Sequence, residues 1–259
     1  MSLGLRFTKY QAAGNDFILM DARDPATRQK ILSLSRAEIA KICDRRFGIG
    51  ADGLILLLAH PDYDFEMKNY NSDGGECSMC GNGGRSLVHF AQALGLNKKD
   101  YRFLATDGPH EAKIEGSLVH LKMQDVPSVV PTPLGATFNT GSPHLIRKVN
   151  QLMAIDVVSE GRMIRNSPLF MPGGINVNFI EEIDGQLFIR TYERGVEDET
   201  LSCGTGVIAA ALTMNEAKGF TSIQARGGML SVKFEKNGSG FKDIWLIGPA
   251  EKTFEGTIN

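Results

Sequence analysis

Glu76-Cys77-Ser78-Met79-Cys80-Gly81-Asn82-Gly83 and Glu199-Thr200-Leu201-Ser202-Cys203-Gly204-Thr205-Gly206 share the pattern E-x-x-x-C-G-[N/T]-G, the second lying 123 residues beyond the first. Weaker matches surround them in the same order. Gly14-Asn15-Asp16-Phe17-Ile18-Leu19 resembles Gly141-Ser142-Pro143-His144-Leu145-Ile146 at an offset of 127, and Ala105-Thr106-Asp107-Gly108 resembles Ala225-Arg226-Gly227-Gly228 at an offset of 120. Phe65 and Phe188 open the runs that lead into the cysteine motifs, and Gly95 and Gly219 close the segments after them. Shared order with a slowly drifting offset is the mark of duplication. Two homologous halves are expected, 1–126 and 127–259, joined near Val126 to Gly135, where Pro127, Pro131 and Pro133 cluster as a linker.

The coarse secondary structure repeats as well. Apolar stretches follow each cysteine, Ser86 to Leu96 and Val207 to Ala217, and Ala209-Ala210-Ala211-Leu212 is strongly helix-forming. The glycines ahead of them suit a tight turn entering a helix. Glu38 to Arg46 reads as helix, Leu54 to Leu58 as a buried strand, and Leu118 to Met123 as a half-buried strand. Asp184-Gly185 and Asn237-Gly238 read as hairpin turns. The fold class is therefore α+β, with a sheet around one central helix in each half.

Composition narrows the function. Of 259 residues, 42% are hydrophobic and 22% charged, as in a soluble globular chain with a sizeable core. Net charge is −2 with no basic block, which argues against nucleic acid as a partner. The longest apolar run, Leu54 to Ala59, is too short to span a bilayer. The opening residues contain no continuous apolar run, so no secretory signal is expected. Four cysteines, at positions 43, 77, 80 and 203, make no disulfide framework and fit a reducing cytoplasm.

Gly48-x-Gly50-x-x-Gly53 matches a dinucleotide fingerprint, but that loop must follow a strand and open a helix. Here the order is reversed, so no nicotinamide cofactor is expected. Cys77-x-x-Cys80 offers a redox or zinc-binding module as an alternative, yet zinc needs two more spaced ligands, and no metal is expected. Cys43 reads as a small buried hydrophobe. Cys80 and Cys203 each stand where a glycine-rich turn enters a helix. Exposed amides and the helix dipole favour anions there and lower a thiol pKa. Asn15, Asn71, Asn82 and Asn176 taken singly are turn residues, Arg194 a surface charge and His144 a structural histidine. Together they offer amides and a guanidinium fork to a small zwitterion.

These segments resemble the diaminopimelate epimerase family over essentially the whole chain. The resemblance rests on Gly14 to Phe17, Phe47 to Asp52, Asn71 to Gly74, Met79 to Gly83, Ser142 to His144, Asn176, and Tyr192 to Gly195 through Cys203 to Gly206. It implies two pseudo-symmetric domains, each a curled, mostly antiparallel sheet around a central helix, with the last strand returning to the first domain and the active site in the cleft between them. It implies Cys80 and Cys203 as the acid/base pair, with His144 and Glu193 adjusting their protonation. Asn15, Asn71, Gly81, Asn82, Asn176, Glu193, Arg194, Gly204 and Thr205 would bind substrate. The implied reaction interconverts LL- and meso-2,6-diaminopimelate without cofactor, in the cytoplasm, for lysine and peptidoglycan synthesis. Cys203 would be the base from LL to meso. A homodimer is a family-level expectation. The alternative is a proline or hydroxyproline racemase of the same superfamily. Arg194 argues against it, because a small cyclic amino acid has no distal carboxylate to clamp. Gly53 and Ser142 depart from the commonest pattern, which has Gln and Asn there.

Overall fold

Leu54 to Leu58 lie in β3 (Gly53–Leu58), and every residue of that strand is buried. A strand so uniformly apolar needs cover on both faces. Leu54, Leu56 and Leu58 point to an outer layer with Ile31, Ile39 and Ile42 of helices α1 (Pro25–Leu32) and α2 (Arg36–Cys43). Ile55 faces the other way, against Gly83 of helix α3 (Gly81–Ala93). Both outer helices begin on side-chain caps. Asp24 accepts from the Thr27 amide with Pro25 in the first turn, and Ser35 forms a capping box with Glu38. Helix α2 stops at Cys43 rather than running to Arg46, because the Asp44 carboxylate takes the Arg46 and Phe47 amides into a turn. Cys43 is buried in the outer apolar layer, and burial pushes its thiol up to about 11.

The computed structural model describes residues 4–214 and 218–258, and of Lys218 the backbone alone. They form an α+β chain of 18 strands and five α-helices. Two compact units emerge, Met1–Leu121 with Pro249–Asn259, and Lys122–Gly248. Residues 122–126 group with the second unit, where Val126 exchanges backbone hydrogen bonds with Phe241.

In the first unit β1 (Leu5–Ala12) pairs antiparallel with both β18 (Glu251–Ile258) and β2 (Asn15–Asp21). Then β2 runs parallel to β3, and β3 antiparallel to β4 (Phe65–Asn71). One end of β4 holds the short β5 (Glu76–Cys77) antiparallel, and the other holds β6 (Asp100–Ala105) parallel. From β6 the sheet continues antiparallel through β7 (Gly108–Glu115) to β8 (Leu118–Lys122). Helix α3 touches strands from β18 and β1 through to β7, so the sheet curls around it.

The second unit repeats this order strand for strand. Here β9 (Val130–Thr132) pairs with β10 (Gly135–Asn139), and β10 antiparallel with β11 (Pro143–Lys148). Next, β11 runs parallel to β12 (Asn176–Ile183), and β12 antiparallel to β13 (Gln186–Glu193). One end of β13 holds β14 (Asp198–Thr200) antiparallel, and the other holds β15 (Lys218–Ala225) parallel. Antiparallel β16 (Gly228–Asn237) and β17 (Gly240–Pro249) complete it. Helix α5 (Gly204–Leu212) touches strands from β10 to β16. Helix α4 (Val157–Arg165), capped by Asp156, covers the outer face through Val157 and Ile164, against Leu145, Val177, Phe179 and Tyr192.

Several local readings shift. The proline-rich segment is not a free linker, since β9 lies within it. Its Pro131 sits in a short strand whose described partner is β10, a place that tolerates a missing N–H. The glycines of the cysteine motifs lie inside the first helical turn, not in a turn ahead of it. None of them has positive φ; their use is close approach. A Cβ on Gly206 would lie 2.4 Å from Asn178 Oδ1. Gly219 does not close the helical segment but lies within β15, under the ring of Phe234. Strand β13 begins at Gln186, two residues before Phe188. Helix α5 ends at Leu212, and the expected end at Ala217 lies outside the described residues. Asp184-Gly185 forms its two-residue hairpin with both φ positive. The β16–β17 turn centres on Gly238-Ser239, one residue later than expected.

Candidate functional site

The repeated topology brings one end of each sheet to the N-terminus of its central helix. In the first unit β2 and β3 begin at that end and β4 finishes there, so Phe17, Gly53 and Asn71 stand side by side in register. Asn15 opens β2, and its Nδ2 donates to Asp52 Oδ2 at 2.5 Å. Asn82 Nδ2 donates to Asn15 Oδ1 at 3.3 Å, and Arg85 Nη2 to Asn82 Oδ1 at 2.8 Å. Behind Asn15 lies an ionic lattice. Arg45 bridges Asp16 and Asp52 at 2.7 and 2.6 Å, and Lys9 is 2.7 Å from Asp16. Burial pushes the Asp16 carboxyl up, but Arg45 and Lys9 outweigh it and hold it near about 2. A Cβ at Gly53 would sit 2.5 Å from the Tyr70 carbonyl, so this backbone leaves no room for a side chain there.

Cys80 is the N-cap of α3, and the Gly83 amide donates to its Sγ at 3.1 Å. Gly81 and Asn82 form the first turn behind it. The loop carrying Cys80 is held from outside the motif, since Asp107 accepts the Met79 amide at 3.2 Å and pairs with His110 at 3.2 Å. Cys77 is half-buried, and burial, with Cys80 next in effect, pushes its thiol up to about 12.

In the second unit Cys203 is the N-cap of α5, with Gly204 and Thr205 next. Its Sγ lies 3.4 Å from Thr205 Oγ1, which lies 2.8 Å from His144 Nε2. Asn178 Nδ2 reaches both His144 Nδ1, at 3.0 Å, and the Leu145 carbonyl, at 2.9 Å. A carbonyl can only accept, so that atom must be the amide nitrogen, and His144 Nδ1 must be the bare ring nitrogen. The proton therefore sits on Nε2, which donates into the pair of hydroxyls formed by Thr205 and Ser142, and the Thr205 hydroxyl is free to donate to Cys203. Burial drives the His144 pKa down to about 3, so the ring is neutral at ordinary pH.

Ser142 Oγ lies 2.9 Å from His144 Nε2 and accepts from Asn176 Nδ2 at 3.2 Å, so the short side chain forms a hub inside the network. Asn176 opens β12 directly beside His144, and its Oδ1 accepts the Arg194 amide at 2.8 Å. Arg194 is exposed and donates from Nη1 to the Gly173 carbonyl at 3.1 Å. Glu193 ends β13, the place that Asn71 takes on β4. The expected fall in thiol pKa is overturned at Cys203. Burial and then Glu193 push it up to about 12, against the Thr205 hydroxyl and the Thr205 and Gly206 amides.

Each motif glutamate is held from equivalent places, by the preceding long strand and the following hairpin turn, but the second far more tightly. Glu76 meets Lys68 of β4 at 3.0 Å and Thr106 of the β6–β7 turn at 3.3 Å. Glu199 accepts from Nε and Nη2 of Arg190 of β13, each at 2.7 Å, and meets Arg226 of the β15–β16 turn at 3.1 Å. Sequence reading missed Asp52, Arg85 and Asn178. Only Arg85 left a signal, a charge immediately ahead of the apolar run that follows Cys80.

The family model for diaminopimelate epimerase matches residues 7–126 and 136–253. A diaminopimelate epimerase of Flavobacterium psychrophilum is 48% identical over 98% of this chain and 100% of its own length. One from Chlorobaculum tepidum is 43% identical over 95% and 98%. Among solved structures, a phenazine biosynthesis protein of the PhzF family from Bacillus anthracis superposes with a TM-score of 0.76 at 14% identity, covering 98% of this chain and 99% of that one. A hydroxyproline epimerase from Agrobacterium vitis gives 0.68 at 13%, covering 98% and 92%. The structural likenesses speak to the fold alone. The sequence relationships, with both cysteine motifs inside the matched residues, carry the assignment: the chain belongs to the diaminopimelate epimerase family.

Proposed function

We propose that the chain interconverts LL- and meso-2,6-diaminopimelate without a cofactor, with Cys80 and Cys203 as its two acid/base groups. The supporting observation is that both matched cysteines cap the central helices of two topologically identical units, in a chain whose near-full-length relatives are diaminopimelate epimerases. Inverting a stereocentre means removing a proton from one face of the carbon and delivering one to the other. A thiolate does the first and a thiol the second, and they exchange roles with direction. Cys203 is the base from LL to meso. First-turn amides at Gly81, Gly204 and Thr205 stabilise the charge that develops on the α-carboxylate. His144 does not exchange protons. It is a fixed neutral donor that orders the Thr205 hydroxyl toward Cys203. Glu193 keeps Cys203 protonated until substrate arrives. Asn15, Asn71, Asn82 and Asn176 bind the amino and carboxylate groups, and the Arg194 fork holds the distal carboxylate.

Among the described residues no helix is long and apolar enough to cross a membrane. The reading places the enzyme in the cytoplasm, supplying lysine and peptidoglycan precursors, as a homodimer. The test is an assay on LL-diaminopimelate with no cofactor added, run beside proline and hydroxyproline. Conversion to the meso isomer, with deuterium entering product from heavy water at the inverted centre, is the expected result. Turnover of the cyclic amino acids alone would refute it.

A further inference from the structure

The two units share a topology but differ in what lies beside each cysteine. Five residues after Cys80 comes Arg85; five residues after Cys203 comes Ile208. Both are fully buried. A buried guanidinium ordinarily sits on a carboxylate, because stripping water from a lone charge is costly. Arg85 has no such partner among the described residues. Its Nη1 donates to the Gly81 carbonyl at 3.2 Å and its Nη2 to Asn82 Oδ1 at 2.8 Å, while Nε has no partner. Two neutral acceptors do not balance a full positive charge.

The guanidinium is instead folded back onto the first turn, Gly81 and Asn82, directly behind the N-cap Cys80. Burial lowers the Arg85 pKa to about 10, and the one opposing influence is Cys80. Cys77, on β5, also feels Cys80, and burial holds it protonated. The asymmetry continues on the neighbouring strand. Tyr70 pairs with Glu76 as Tyr192 pairs with Glu199, so Asn71 and Glu193 occupy equivalent places. Cys80 thus has a buried cation five residues on, held against the first turn, and an amide at the strand end. Cys203 has a buried isoleucine at that position and a carboxylate at the strand end.

We propose that Arg85 is the buried counter-ion of Cys80, so that the free chain carries its thiolate on Cys80 and its thiol on Cys203. Arg85 is a positioning residue in this scheme, acting through Cys80 and Asn82. The inference rests on the two-thiol reading above and adds which thiol starts ionised. The resting form is then the one that takes a proton from the meso isomer.

Alkylation by iodoacetamide, resolved by peptide mass spectrometry from about pH 5 to 10, reads each thiol separately. In the parent chain Cys80 should titrate below the ordinary thiol value of about 8.5, and Cys203 should react far more slowly. Arg85→Met should slow Cys80 alkylation at neutral pH by about tenfold or more, and Arg85→Lys should restore most of it. A parent Cys80 midpoint at or above the ordinary value, or an unchanged profile in folded Arg85→Met, would overturn the proposal.

If Arg85→Met does not fold, Cys80→Ser takes its place. Loss of the anion strands the guanidinium, so Cys80→Ser should melt below its parent at about pH 8, with the gap closing toward about pH 5 as the parent thiol protonates. A gap that does not change with pH overturns the proposal equally. None of these measurements uses substrate. A failed epimerase assay would therefore leave this result standing, and the reverse also holds.

Discussion

Replacing Asn178 with leucine should remove the piece that fixes the state of His144. The two side chains are close in size, so the change is chiefly one of hydrogen bonding. Asn178 is fully buried, and so is the imidazole it holds. Its Nδ2 serves His144 Nδ1 and the Leu145 carbonyl, and its Oδ1 accepts from Thr191 Oγ1 at 2.9 Å. Leucine strands the Nδ1 lone pair and the Thr191 hydroxyl. Each stranded buried group costs about 1–3 kcal/mol. Burying the extra apolar surface returns about 1–2 kcal/mol. At the middle of these ranges the net loss is about 2–3 kcal/mol, read as a lower urea midpoint at unchanged slope. The kinetic consequence is separable. Without a donor on Nδ1 the ring loses its reason to keep the proton on Nε2, Thr205 is no longer ordered toward Cys203, and kcat should fall more than KM rises. A midpoint within about 0.5 kcal/mol of the parent, or unchanged kcat, would show that Asn178 does not hold the imidazole as argued.

The low pKa of His144 gives acid sensitivity with a definite sign. The unfolded imidazole protonates near 6.5 and the folded one near about 3, so the neutral buried ring loses stability as pH falls through that interval. His144→Gln should flatten the fall in Tm between those values, and a parallel curve would contradict the assignment. The motif glutamates should respond unequally. The Glu199 side chain is 9% exposed and meets two arginines, whereas Glu76 is 42% exposed. Glu199→Gln should cost about 3 kcal/mol and Glu76→Gln under about 1 kcal/mol in denaturant titrations; equal costs would refute the clamp argument. Gly206→Ala drives a Cβ into Asn178 Oδ1, and overpacking of about 1–3 kcal/mol should accompany loss of epimerisation. Full activity in that variant would show that the helix start has room to shift.

Much of this was readable from sequence because a duplicated motif carries its own control. Residues kept at both copies, the glutamate, the cysteine and the glycines, were recognisable as parts of one device. What the glycines do was not readable, because local sequence cannot distinguish a glycine that bends the chain from one that admits a neighbour. Gly206 admits Asn178, which lies 28 positions earlier on another element. Asn178 escaped notice for a related reason. It sits in β12 among apolar neighbours, and only the parallel pairing with β11 places it beside His144. Arg85 could have been found by aligning the two copies, since Ile208 marks its position as one that buries. The proline segment misled because proline reports a missing donor, and an edge strand satisfies that condition as well as a linker does.

The pairing of β18 with β1 has a consequence for how the chain is made. Gln11 and Glu251, joined across these strands, are 240 positions apart. A ribosome therefore releases everything needed for the second sheet while the first still lacks its outer strand. Until β18 emerges, β1 offers an open row of donors and acceptors, the template on which strands of other chains add. Closing it requires the largest loop in the molecule, a slow step for a contact so distant in sequence. A nascent chain stalled before Glu251 should thus be finished in its later half and adhesive in its earlier one. Chaperone demand would be set by how long β1 waits for β18.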